Sequence, residues 1–217
     1  MGGISLSEIS IFADESGGQG GRSKYYALTL VFHDRSDDIM GEVGKYRRGL
    51  ATRGLEDIPL HEGPLLTGHD SYEGMDIKDR KGYRTMFFQL LQHLPIRYAT
   101  FVYRRSELVG DDAFVSRMRR DIVDLVFDNL EYFQAFDEVK VYYDNGQEIV
   151  AEALRGAIEY AISKDSLLYR KTAFHRLHSR ASCRYAVHVG IDGRQIQEQG
   201  SDADGRQVLR RRPLFQE

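Results

Sequence analysis

The chain has one cysteine, Cys183, no tryptophan, no long apolar run and no large excess of either charge. A single cysteine excludes a disulfide within the chain. Without a long apolar stretch, neither a transmembrane helix nor a signal-peptide hydrophobic region is expected, and the expected location is the cytoplasm. The 30 basic and 33 acidic residues leave a formal charge of −3. That excludes a nucleic-acid binder that is basic overall, so any such contact must come from a local patch. The missing tryptophan excludes nothing, and no internal repeat is present. The composition, 41% apolar and 29% charged over 217 residues, suits one soluble domain or one domain with an appendage.

Residues 9–21, ISIFADESGGQGG, open the informative part. Ile9, Ile11 and Ala13 alternate with Ser10, Phe12 and Asp14, as on a strand with two different faces. KYYALTLVFH, 24–33, is a second strand, and the glycines between the two predict a hairpin. Cap-type residues followed by a stop at Gly54 predict a helix over 36–54. Residues 55–75 read as irregular. An apolar stripe predicts a helix over 76–94, ended by Pro95. A third strand is expected at 96–104 and a long helix over 111–133, with Ile122, Leu125, Val126, Asn129 and Leu130 inward. VKVYYDNG, 139–146, is a fourth strand stopping at Asp144, followed by a helix over 146–162 and a short fifth strand at 166–171. The order predicts an α/β fold with one mixed sheet of about five strands flanked by helices.

Two strands thus end in carboxylates, Asp14 and Asp144. If these strands are parallel neighbours, both acids emerge at the edge where open α/β sheets bind ligands. Converging carboxylates repel one another, and a hard divalent cation, Mg²⁺ or Mn²⁺, relieves that repulsion. Two such ions about 3.5–4 Å apart activate water and stabilise the leaving oxygen of a phosphodiester. Each acid alone also makes a good turn: Asp-Glu-Ser-Gly suits a hairpin, and Asp144-Asn145-Gly146 suits a strand-to-helix corner.

The strand ending in DESG, the downstream IPLHEGPL, the helix with RTMFFQLL, the strand IRYATFVY and the later YYDNG together resemble the bacterial and phage family known as domain of unknown function 3800 (DUF3800). The resemblance covers residues 8 to about 170 and sets a domain boundary at 171, with 172–217 as a disordered tail outside the family pattern. It implies a ribonuclease-H-like fold and a divalent-metal phosphodiesterase site acting on nucleic acid, with Asp14 and Asp144 as metal ligands. Glu15 adjoins the motif, although alternation turns it away from Asp14. His61 is the family-like histidine, able to contact a phosphate or act as acid–base; its bland alternative is a loop histidine bonded to backbone. Glu62 is a further ligand candidate. Arg47, Arg48, Arg53, Arg117, Arg119 and Arg120 either line a positive groove or form solvated helix faces, and the second is the commoner use.

Members of that family end in a helix bearing Gln-hydrophobic-Ala-Asp, whose Asp is the expected third ligand. No such motif follows Asp144 here. Moved forward by one base, however, codons for Ala181 to Tyr185 can encode Gln-Val-Ala-Asp followed by Met or Thr. A frameshift between about Lys171 and His178 is therefore expected to have replaced the native helix, and the nucleotide sequence tests it directly. The expected function is a Mg²⁺-dependent nuclease weakened by the missing ligand. The alternative is a non-catalytic nucleic-acid or protein-binding module on the same fold. A glycosidase-like carboxylate pair ranks last, because few aromatics stand near the motifs to stack a sugar.

Overall fold

The structure, a computed structural model, describes residues 7–17, 24–107, 110–143, 148–164 and 171–176. Strands β1 (Glu8–Ser16), β2 (Tyr25–Asp34), β3 (Ile96–Arg104) and β4 (Glu138–Tyr143) form a mixed sheet in the order β3-β2-β1-β4. β5 (Lys171–Arg176) lies parallel along the outer side of β4. β2 is antiparallel to both β1 and β3, whereas β4 is parallel to β1. All strands but β2 therefore point the same way. Six α-helices join and cover them: α1 (Met40–Thr52), α2 (Glu62–Thr67), α3 (Ile77–His93), α4 (Asp111–Asp128), α5 (Leu130–Gln134) and α6 (Glu148–Lys164).

Alternation along the strands sorts the side chains into two cores. Ile9, Ile11 and Ala13 of β1 share one face with Leu28, Leu30 and Phe32 of β2 and with Val139 and Val141 of β4. Met118, Ile122 and Leu125 of α4, and Val150, Leu154 and Ala157 of α6, close that core. Phe114 meets Tyr26 and Tyr103 edge-on, with ring centroids 4.8 and 5.5 Å away, a geometry favoured by the ring quadrupoles. A second core joins α1, α2 and α3 through Val43, Tyr46, Leu50, Leu65, Tyr83 and Phe87, and Ile96 of β3 packs against it. Gly49 lets α1 approach α3 closely: a Cβ there would stand 2.5 Å from Met86 Cε.

Several boundaries differ from the sequence expectation for local reasons. α1 begins at Met40 rather than 36, because the polar residues before it make turns: Asp34 Oδ1 accepts from the Ser36 amide and Asp38 Oδ1 from the Met40 amide. The expected 111–133 helix breaks at Asn129, whose Nδ2 donates to Leu125 O at 2.6 Å. α5 then turns Phe133 into the sheet core. The stretch read as irregular contains α2, closed by Gly68 in the left-handed region (φ 74°). The fifth strand expected at 166–171 falls, apart from Lys171, on residues outside the described ones; the described β5 runs from Lys171 to Arg176. The boundary read at 171 thus falls at the start of a paired strand. Of the tail expected over 172–217, residues 172–176 belong to β5, which corrects its expected start, while 177–217, with the codons of the frameshift reading, lie outside the described residues. Among the described residues no helix is long and apolar enough to cross a membrane.

Candidate functional site at the strand ends

The last paired residues of β1 and β4 are Ala13 and Tyr143. Asp14 and Asp144 are the next residues of the two chain segments, so the described register brings the chain to both acids at one edge of the sheet. Asp144 itself lies outside the described residues. Asp14 is half-buried near the end of β1.

Its face is set by the pairing. Asp14 stands opposite Thr29 of β2, and Thr29 opposite Thr100 of β3. The two threonine hydroxyls share a hydrogen bond of 3.0 Å and are buried, so the rung beside Asp14 is polar and internally satisfied. One rung back, Phe12 stacks on Tyr142 at 4.9 Å, which ties β1 to β4 just before the two acidic positions.

Glu15 pairs with Leu28, on the same sheet face as Ala13 and Leu30 and opposite to that of Asp14. Alternation therefore separates the two adjacent carboxylates. Burial raises the pKa of the Tyr26 hydroxyl, and the charges of Glu15 and then Asp14 raise it further, while Arg105 opposes them. Both acids and Arg105 thus act on one neighbourhood at the end of β2.

His61 precedes α2 on an extended backbone, and its amide donates to the Tyr72 hydroxyl at 3.1 Å. That hydroxyl donates onward to Pro59 O at 3.0 Å, which pins the loop against the α1–α3 core. Glu62 opens α2 and pairs with Arg84 at 3.3 Å. Arg84 also lies over the Phe88 ring at 5.4 Å. Glu62 therefore already has a protein cation beside it. Arg47 pairs with Asp57 at 2.8 Å and Arg117 with Asp121 at 3.4 Å, as on a solvated helix face. Arg119 lies against Gly156 of α6, so it serves helix packing.

The carboxylates and neighbouring hydroxyls are hard oxygen donors of the kind Mg²⁺ or Mn²⁺ takes. Among the described residues, however, no group of three or more His, Cys, Asp or Glu side chains gathers as a metal site. Asp14, Glu15, His61 and Glu62 are thus not assembled into one centre by themselves. Two further features of this edge were missed from sequence: the Thr29–Thr100 pair, and Tyr25 and Arg104, which sit opposite one another at the outer end of the Asp14 face. No protein-family model, curated protein or solved structure matches the chain.

Proposed function

We propose that the chain carries a Mg²⁺- or Mn²⁺-dependent phosphodiesterase site of ribonuclease-H-like type, centred on Asp14 and Asp144, with nucleic acid as substrate. One observation carries this reading: β1 and β4 are adjacent and parallel, and their shared register runs up to Ala13 and Tyr143, one residue short of each acid. That is the placement a shared cation requires, and a mixed sheet with these two strands at its centre is what a ribonuclease-H-like fold needs.

In this reading Asp14 and Asp144 hold the metal, which when bound would supply Lewis acidity and a lowered pKa for water. Asp14 is half-buried and stands opposite Thr29 of the buried Thr29–Thr100 pair. His61 is assigned to phosphate contact or proton transfer; Glu15, on the opposite sheet face, and Glu62, paired with Arg84, are not assigned to the metal. With the third family-type acid missing from the sequence, activity should be weak.

The test is cleavage of labelled DNA, RNA and hybrid oligonucleotides in Mg²⁺ or Mn²⁺, with Asp14→Asn as the control. Metal-dependent cleavage lost in the variant supports the reading. Cleavage no greater than the variant's defeats it and favours the second reading, a non-catalytic binding module on the same fold.

A further inference from the structure

The face of the sheet that carries Asp14 continues outward along two more rungs. Ser16 pairs with Ala27, and Ala27 with Val102; beyond them Tyr25 pairs with Arg104. These residues share the Asp14 face because the side-chain period of a strand is two. The intervening rung is built from small or branched side chains, all short, so the path from Asp14 to Tyr25 and Arg104 is low. At its far end Arg104 and Lys24 are exposed and Tyr25 is partly so. The Arg105 amide donates to Lys24 O at 3.0 Å, which extends the β2–β3 ladder beyond the Tyr25–Arg104 pair and sets the Lys24 backbone beside that of Arg105, at the rim of this face rather than on it. β3 is parallel to β1, so these groups stand at the same edge as Asp14. Arg104 is four residues beyond Thr100 and two strands from β1, which is on the order of 15 Å from Asp14 at about 3.3 Å per residue and about 4.8 Å per strand.

We propose that Tyr25, Arg104 and Lys24 form a grip for single-stranded nucleic acid, holding a segment a few nucleotides from the phosphodiester at Asp14. The proposal rests on the phosphodiesterase reading above and adds to it the strandedness of the substrate. Tyr25 offers a ring for a base to stack on, and Arg104 and Lys24 offer charges for the phosphates on either side. Stacking platforms alternating with cations are the usual equipment for binding single strands irrespective of sequence. A chain with a formal charge of −3 needs such a confined patch, since its surface as a whole does not attract a polyanion. The arginines of α1 and α4 belong to helices and not to these strand rungs.

The experiment is equilibrium binding of a fluorescently labelled oligonucleotide, single-stranded and as a duplex, to the full chain in EDTA over a series of salt concentrations. Arg104→Gln should weaken single-strand binding and flatten its salt dependence by about 0.7 in the log–log slope, the value for one lost phosphate contact. Tyr25→Leu should weaken it about tenfold with little change of slope. Lys24→Gln, on an exposed residue, should act like Arg104→Gln; Arg120→Gln on the exposed side of α4 should change nothing. Thermal midpoints equal to wild type show that the variants fold. Unchanged affinity and slope in Arg104→Gln, Lys24→Gln and Tyr25→Leu would overturn the grip while leaving the phosphodiesterase reading in place. An equal loss in Arg120→Gln, or a preference for duplex, would also overturn it. If binding behaves as expected but no metal-dependent cleavage is seen, the grip stands and the catalytic reading falls. If the wild-type chain binds no oligonucleotide, both fall.

Discussion

Thr29 and Thr100 join their hydroxyls at 3.0 Å in the interior, on the rung that Asp14 completes in β1. Each hydroxyl is the other's partner, and both residues are buried. Replacing one by valine keeps the shape but strands the remaining hydroxyl away from water. Thr100→Val is expected to cost about 1–3 kcal/mol in urea unfolding, and Thr29→Val a similar amount. The double variant should return to within about 1 kcal/mol of wild type, because no polar group is then left unpaired. Additive losses in the double-mutant cycle would show that the two hydroxyls do not depend on each other.

Gly17 follows β1 with φ of 85°, and a Cβ on it would stand 2.4 Å from the carbonyl oxygen of Tyr25. Both the backbone region and the contact exclude a side chain, and the obstructing atom belongs to the backbone. Gly17→Ala is therefore expected to destabilise the protein by more than about 1 kcal/mol. Because β2 starts at Tyr25, the same strain should loosen the outer end of the β1–β2 ladder. Hydrogen exchange should be faster at the Ser16 and Ala27 amides than at Ile9 and Phe32. Uniform loss of protection would refute the local account.

The buried tyrosines set the alkaline limit of the fold. Burial pushes the Tyr132 hydroxyl up to about 12, against a smaller opposing pull from Arg97, whose guanidinium lies 4.5 Å from the ring centroid. Tyr26 and Tyr103 are raised as well, again chiefly by burial. In the unfolded chain these groups ionise near pH 10. Above that pH the unfolded state binds fewer protons than the native one, so stability falls as pH rises. The contribution is complete below about pH 10 and, for Tyr132, is lost as pH climbs towards its folded value of about 12. Chemical unfolding measured from pH 8 to 11.5 should be flat at first and then decline, with a shallower decline in Tyr132→Phe.

The parts of this fold that were legible in sequence are those with a clear period or stop. β3 matches its expected span, 96–104, and α3 begins one residue after its Asp76 cap, which accepts from the Lys78 amide at 3.2 Å. The parallel pairing of β1 with β4, which the sequence posed only as a condition, places the Asp14 edge. What was not legible depended on tertiary partners. α2 is six residues long and lacks a side-chain cap; it is held by Arg80, which donates to the carbonyls of Leu65 and Leu66 from a helix further along the chain. The break at Asn129 turns on a side chain competing with the backbone, at a position that fits the helical stripe equally well. Arg104 escaped notice because sequence alone gives no cross-strand register, and only the register puts it on the Asp14 face.

Asp14→Asn separates the metal reading from a purely structural role for this acid. As a ligand, Asp14 serves the metal and not the fold: it stands half-buried near the end of β1. Replacing it by the isosteric amide should leave the metal-free protein within about 1 kcal/mol of wild type. Adding Mg²⁺ or Mn²⁺ should raise the thermal midpoint of wild type progressively, as binding to the native state alone requires, and should leave that of Asp14→Asn unchanged. Glu62→Gln provides a contrast. Its carboxylate is already paired with Arg84, so the variant should lose a little stability without metal and keep most of the response to added metal. Equal metal responses in wild type and Asp14→Asn would remove Asp14 from the site. A drop in metal-free stability of several kcal/mol in Asp14→Asn would instead mark the residue as part of the β1 turn, the role that Asp-Glu-Ser-Gly suits on sequence alone.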